Sequence, residues 1–439
     1  MNYYKIWLYG MILAMGLSAC SSARPIPPQG MRSPIRLERC EAEAFGMNGA
    51  ILQKCDSVLK QDVLVDKSVP GAVVCIVKED KIIYENACGY QQLIPEKIPM
   101  GTQSIFDLAS LSKCFGTAIA VMQLVEQGKI KLDEPVDKYL KGYRNWHTEN
   151  GKERKIRIRD LLTHTGGLAS YINVDSLSAI WGEGQADSLK NYIIKDLPRK
   201  NAAGEKMIYS CPSFVSLQYV VEEVSGQRLC DYVQQNVFDP LGLKHTCYLP
   251  KGVEIPQDML SKIVPSEVLI PGKSASNQIS AETKAGEILL GVVHDPLARR
   301  FNSGNSGNAG IFSDAEGLAV LCAALMNGGE LNGRRILKKS TVRQMFKIQD
   351  KKIGRALGWD SKSPYAWFVP EEFKKDKCVC HSGYTGTSVI INLSRKTAII
   401  LLTNSAHPFD EGSPLSLRKG IPKVVAESFG IYSINYQTL

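Results

Sequence analysis

The chain is poor in the residue clusters on which several catalytic chemistries depend. Its 439 residues hold only six histidines, His147, His164, His245, His294, His381 and His407. No two of them form the local pair used by zinc hydrolases, so metal catalysis is not expected. A nucleophile elbow is missing, because Gly304-Asn305-Ser306-Gly307-Asn308 carries Asn where the last Gly belongs. A phosphate loop is missing too, since Glu267 stands where Gly272-Lys273-Ser274 needs its first glycine. Charge of one sign is nowhere concentrated. The 53 Lys plus Arg against 44 Asp plus Glu give +9, but the excess is scattered and forms no basic arm interleaved with aromatics, which excludes nucleic acid as an expected partner. There is no internal repeat. With 44% hydrophobic and 22% charged residues, 37 Gly and 21 Pro, disorder, collagen and coiled coil are excluded for the bulk of the chain. The length is ample for a large buried core.

What is present starts with a separate message. Lys5 flanks an apolar run, Ile6 to Leu17, that is too short to span a bilayer comfortably, and Leu17-Ser18-Ala19-Cys20 follows at once. This segment resembles a bacterial lipoprotein signal. The resemblance implies that residues 1–19 are removed and that Cys20 carries lipid, so the mature chain is held at a membrane on the exported side, in the periplasm or at the outer membrane. Residues 20–45, with Pro25, Pro27, Pro28 and Pro34, read as a tether, and residues 46–439 as the folded body. Eleven cysteines then remain, an odd number, so at least one thiol stays free. They show no dense framework, and several sit in apolar runs such as Ala72 to Val77, as small buried hydrophobes do. Cys378, Cys380 and His381 lack a further neighbour to complete a tetrahedral metal set. No metal and no other cofactor is expected.

Periodicity gives an amphipathic helix over Ala50 to Val65, then two β-rich runs, Ala72 to Val77 and Lys81 to Cys88, about a turn at Glu79-Asp80. Helical patterns dominate from about residue 110 to 325, including Phe115 to Gln127, Leu217 to Val224 and Gly317 to Met326. Two further apolar runs, Thr387 to Leu393 and Thr397 to Thr403, precede a last helical stretch at Val424 to Phe429. The pattern predicts an α+β fold whose antiparallel sheet is built from both chain ends, with a large, mainly helical insertion over roughly 110–325.

Within this frame Ser110-Leu111-Ser112-Lys113 leads into an apolar helix. Serine and lysine three apart share a helix face, so the amine can lie against the hydroxyl. A helix N-terminus and partial burial both favour a neutral amine, the form that accepts the serine proton. The same spacing recurs at Ser57 and Lys60 and at Ser416 and Lys419, so spacing alone does not choose.

The order of further blocks does. Val69-Pro70-Gly71-Ala72, Phe106 to Lys113, Ile158-Arg159-Asp160-Leu161-Leu162-Thr163-His164-Thr165-Gly166-Gly167-Leu168, Tyr209-Ser210-Cys211, Gly307 to Ser313 and His381-Ser382-Gly383-Tyr384-Thr385-Gly386 follow one another along Pro70 to Asn404. Together they resemble the serine β-lactamase and penicillin-binding-protein superfamily, in particular its class C-like branch of esterases, D-aminopeptidases and DD-peptidases. The resemblance implies that Ser110 is the acyl-accepting nucleophile and Lys113 its proton partner. It implies that Tyr209, with a lowered pKa, is the general base, and that His381 supports the proton network and binds a substrate carboxylate or oxygen. The N–H groups of Ser110 and Tyr384 form the implied oxyanion hole, with Cys211, Ser382 and Gly383 lining the substrate. Tyr143-Arg144-Asn145 and Tyr171-Ile172-Asn173 fit the letters of the tyrosine motif better, but Tyr209 has the right place before a helix. His164-Thr165-Gly166 comes before the tyrosine block and reads as a turn.

Two departures bear on substrate. Cys211 stands where β-lactamases carry the Asn that holds the acylamide, and His381 where relatives carry Lys. A thiol is a poor amide donor, so β-lactam hydrolysis is less favoured than action on an ester, a peptide or a cell-wall fragment. The competing expectation is a penicillin-binding or sensor protein that acylates and turns over slowly.

Overall fold

The computed structural model describes residues 33–270 and 286–430. Cys20 with its leader, and Lys273 and Ser274 of the rejected phosphate loop, lie outside the described residues. The central sheet contains β1 (Glu38–Arg39), β2 (Gly71–Lys78), β3 (Lys81–Gln92), β4 (Cys378–Ser382), β5 (Ser388–Asn392) and β6 (Thr397–Thr403) in the order β1-β3-β2-β6-β5-β4, and the short strand Ile98–Pro99 also pairs with β3. The two chain ends meet along β2 and β6, antiparallel from Ala72 opposite Thr403 to Lys78 opposite Thr397. The hairpin between β2 and β3 turns at Glu79, whose φ is +56°.

The apolar runs are explained by burial on both faces, which leaves no polar side to alternate with. Val73, Cys75, Val77, Ile391, Ile400 and Leu402 join one core with helices α2 (Ile119–Glu126) and α4 (Ala315–Met326). Ala72, Val74, Ile76, Cys380, Ile390 and Leu401 point the other way, into a second core with α1 (Lys54–Lys60) and α5 (Leu415–Ser428). α3 (Cys211–Ser225) belongs to the helical region; Ser210 caps its start by accepting from the Ser213 N–H at 3.2 Å, and Gly226 closes it with φ +71°.

Three expectations change. The sheet is mixed, because β1 runs parallel to β3, Glu38 opposite Lys81. The stretch before residue 46 is not all tether: Ile35, Leu37 and Ala42 are buried, since apolar side chains next to a core gain about 25 cal/mol per Å² by joining it. The last helix begins at Leu415 rather than Val424; Gly420 breaks the sequence pattern but lets the helix approach α1, a Cβ there standing 2.9 Å from Val58 Cγ1. Among the described residues all eleven cysteines are free.

Gly71 opens β2 where a Cβ would stand 2.5 Å from the Tyr90 carbonyl oxygen and 2.8 Å from the Tyr90 nitrogen. Backbone on the partner strand has no rotamer to yield with. Gly71→Ala is therefore expected to lower the free energy of unfolding by about 1–3 kcal/mol, read from urea denaturation; an unchanged midpoint would show that β3 shifts freely.

Candidate active site

Phe106-Asp107 pairs with Ile311–Ser313, and after it the chain turns through Ala109, whose φ is +46°, into the helix that begins at Leu111. An L-residue holds that conformation at a cost of about 1 kcal/mol or more, so neighbours must hold it. Asp107 does so directly, accepting the Ala109 N–H at 2.8 Å and the His294 N–H at 2.6 Å. Burial raises the Asp107 carboxyl, and those two N–H bonds oppose the rise. The hydroxyl of Thr385 donates to the Asp107 carbonyl at 2.8 Å and that of Thr387 to the Leu108 carbonyl at 3.1 Å. Gly383 makes this approach possible, since a Cβ there would lie 2.5 Å from the Leu108 oxygen. Arg418 of α5 fixes the same turn by donating to the Gly383 and Thr387 carbonyls at 2.7 and 3.0 Å. Ser382-Gly383-Tyr384 is thus fastened beside Ser110. The Ser110 and Tyr384 N–H groups donate to no group among the described residues.

Lys113 starts a π-helical turn, Lys113–Ala118, and is fully buried. Its Nζ donates to Ser110 Oγ at 3.0 Å and to the Asn308 carbonyl at 2.8 Å, and lies 5.2 Å from the Tyr209 ring centroid and 5.9 Å from that of Phe214. The expected neutral amine is not what this setting favours. Burial alone pulls the ammonium toward neutrality, but Asp295 and the ionised forms of Cys211 and Tyr209 pull harder the other way, and the group ends above its ordinary range. Tyr209 departs from expectation as well: burial pushes its phenol up, despite Lys113 and its hydrogen bonds with Ser110 and Lys113. At neutral pH the resting pair is a phenol and an ammonium.

His381 lies at the end of edge strand β4, its ring centroid 5.9 Å from that of Tyr209. Its Nδ1 donates to the Ser382 carbonyl at 2.9 Å, and burial lowers its pKa to about 4. Nε2 therefore presents a lone pair. A neutral acceptor repels a carboxylate and takes a donor, which corrects the expected carboxylate contact. Strand alternation sends Cys378 and Cys380 into the second core and His381 to the cleft, so the three do not converge. Behind His381 the buried guanidinium of Arg355 pairs with Asp360.

Tyr143 sits in the core with its hydroxyl against Ser216 Oγ at 2.9 Å. Tyr171 lies partly exposed, in the field of Cys211 and Asp295. Cys211 stands beside Lys113 and Asn308, its thiol raised by burial. The Tyr384 ring turns outward, stacked on His294 at 5.3 Å and donating to Asp410 at 2.6 Å, so its contribution to the cleft is main-chain. The other serine–lysine pairs are elsewhere: Ser416 bonds Asp62, and Lys419 covers Trp367. Sequence reasoning missed Asp107, Asp295, Asn308, Thr385 and Arg418. Asp107, Asn308 and Thr385 carried a signal as members of the Phe106 to Lys113, Gly307 to Ser313 and His381 to Gly386 blocks, without a role assigned to them.

The family model described as Beta-lactamase matches residues 51–419. An N-acetylmuramyl-L-alanine amidase of Bacillus subtilis (strain 168) is 32% identical over 381 residues, 83% of this chain and 83% of that protein. A protein of Escherichia coli (strain K12) named "Putative D-alanyl-D-alanine carboxypeptidase" is 28% identical over 424 residues, 92% of this chain and 91% of its own. Among solved structures, that of EstCE1, a hydrolase with promiscuous acyltransferase activity, superposes with a TM-score of 0.64 at 21% identity, over 86% of this chain and 98% of that one; it shares the fold.

The buried imidazoles set an acid dependence. Burial holds His381 and His407 at about 4 and His164 well below its usual value, whereas an unfolded imidazole titrates near 6.5. Between about pH 6.5 and 4 the unfolded chain binds protons that the folded one refuses, so these groups lower stability as pH falls through that window and add nothing above it. Asp107, with its raised pKa, acts in the opposite sense, so the comparison must be between variants. From pH 7 to 5 the urea midpoint of His407→Gln is expected to fall less steeply than that of the parent; equal slopes refute the assignment.

Proposed function

The chain belongs to the beta-lactamase family and is a serine hydrolase that cleaves an ester, amide or peptide bond through an acyl-enzyme; on that premise we propose that Ser110 is the nucleophile, Lys113 its fixed cation, Tyr209 the proton relay and His381 an acceptor for a substrate donor. The observation that carries this reading is Lys113 Nζ 3.0 Å from Ser110 Oγ and 5.2 Å from the centroid of the Tyr209 ring. An ammonium only donates. Ser110 Oγ therefore accepts from it and turns its own hydrogen elsewhere, in this reading toward Tyr209, whose ring lies beside Lys113.

As Ser110 Oγ bonds to the substrate carbonyl carbon, its proton passes to Tyr209, and the proton of Tyr209 passes to the departing nitrogen or oxygen. A neutral phenol performs this exchange without prior ionisation, in agreement with its raised pKa. Lys113 offsets the negative charge that builds on Oγ, and the Ser110 and Tyr384 N–H groups receive the carbonyl oxygen, at about 3 kcal/mol per donor. Deacylation reverses the path, with water giving its proton to Tyr209 as Ser110 recovers one.

The order of the sequence blocks supports the class C-like branch. Relatives named amidase and carboxypeptidase support a peptide or cell-wall fragment as substrate, and Cys211 in place of the amide-holding Asn weighs against β-lactams. Export as a lipoprotein through Cys20, with a membrane tether, completes the proposal. A slow-turnover sensor is the second reading, and the same Cys211 favours it.

Labelling with a serine-directed phosphonate, followed by intact mass and turnover of a short-chain ester, a D-Ala-D-Ala peptide and a chromogenic cephalosporin, tests both. Expected are one label on Ser110 and ester or peptide turnover that Ser110→Ala and Lys113→Ala abolish and Tyr209→Phe lowers at least about a hundredfold. Labelling without turnover supports the sensor, and a folded protein that takes no label defeats both.

A further inference from the structure

We propose that His164 is a positioning residue for the Tyr209 phenol, an inference that rests on Tyr209 being the proton relay. His164 is buried and has φ +59°, a conformation that costs an L-residue about 1 kcal/mol or more and persists only where neighbours impose it. The conformation places its two acceptors on either side of one tyrosine. Its carbonyl accepts the Ile208 N–H at 3.0 Å, and its Nδ1 accepts the Ser210 N–H at 3.0 Å. Between these anchors its ring lies against Tyr209, with centroids 4.4 Å apart and planes 35° apart. Residues 208, 209 and 210 are all gripped by a single residue more than forty positions earlier in the chain.

The grip extends along both segments. The Gly204 N–H donates to the Thr165 carbonyl at 2.8 Å and the Cys211 N–H to the Ser170 carbonyl at 2.9 Å. Tyr365 and His381 make further ring contacts with Tyr209, with centroids 5.4 and 5.9 Å apart. A phenol has only two side-chain torsions, so an anchored main chain and ring contacts leave its oxygen little freedom beside Ser110 and Lys113. That precision matters because a displacement of about 1 Å in a reacting group costs on the order of a hundredfold in rate.

The chemistry of the ring suits the task. Because Nδ1 accepts an N–H, the ring's own hydrogen is on Nε2, and a second hydrogen on Nδ1 would face the Ser210 N–H, donor against donor. The ring thus stays neutral, adding no cation beside Lys113. Phe keeps the ring and loses the acceptor. Asn keeps a short acceptor, tolerates positive φ and loses the ring.

His164→Phe and His164→Asn, made in the parent and in Tyr209→Phe, test the proposal by steady-state ester hydrolysis, with thermal unfolding as the check of folding. Expected in the parent is a kcat at least about tenfold lower with KM within about threefold; in Tyr209→Phe the same changes cost no more than about twofold, because the group they position is already gone. If His164→Phe does not fold, His164→Asn supplies the comparison. A full further loss in the Tyr209→Phe background, or a change in KM alone, overturns the positioning role and leaves the Tyr209 reading intact. A Tyr209→Phe enzyme with parental kcat overturns both, and that single variant shows it.

Discussion

A positive charge with no access to water is the constraint around which the cleft is arranged. Lys113 is fully buried, and an ammonium removed from water is tolerated only when its donors are matched and its charge is balanced nearby. The structure meets that demand with the Ser110 hydroxyl, the Asn308 carbonyl, two aromatic faces and the field of Asp295. Apart from Ser110, the contributors come from segments far from Lys113 in the chain. The helix carrying Lys113 is bound to the 307–313 segment by Thr117 Oγ1 on the Gly307 carbonyl at 2.7 Å and by the Ile311 N–H on Ser112 Oγ at 3.0 Å. The same contacts that stabilise the charge thus fix the reactive serine.

The sheet supplies the other wall. Its two halves come from opposite chain ends, and its C-terminal edge, β4 with the turn after it, is fastened to the main chain before Ser110 through Thr385 and Thr387. Ser110 and the turn after β4 therefore meet at a seam between sheet and helical region. Burial explains why Tyr209 and Cys211 keep their protons, since it outweighs the attraction of Lys113 for their anions.

Much of this was legible in the sequence where the signal is local. β2, β5 and β6 were readable as continuous apolar runs because burial on both faces erases alternation, and β3 from its β-rich composition. α3 was readable from its apolar spacing and its closing Ser225-Gly226, and Ser110, Lys113, Tyr209 and His381 were readable as an ordered set of blocks that the fold brings to one cleft. Strand β1 was not, since two charged residues, Glu38 and Arg39, show no strand period. The start of α5 was hidden by Gly420 and Pro422, which only packing against α1 permits. Protonation was the least legible property. Spacing places an amine near a hydroxyl, but whether it is charged depends on Asp295, Asn308 and Cys211, roughly one to two hundred residues away. Arg418 left no local signal for the same reason.

The place of Arg418 in the chain has a bearing on biosynthesis. Its guanidinium holds the carbonyls of Gly383 and Thr387, in the turn that supplies one half of the site, while the serine lies near residue 110. A growing polypeptide therefore contains Ser110 about three hundred residues before it contains the guanidinium that fastens the turn beside it. A chain that ends before Arg418 lacks the two hydrogen bonds that fasten the turn beside Ser110.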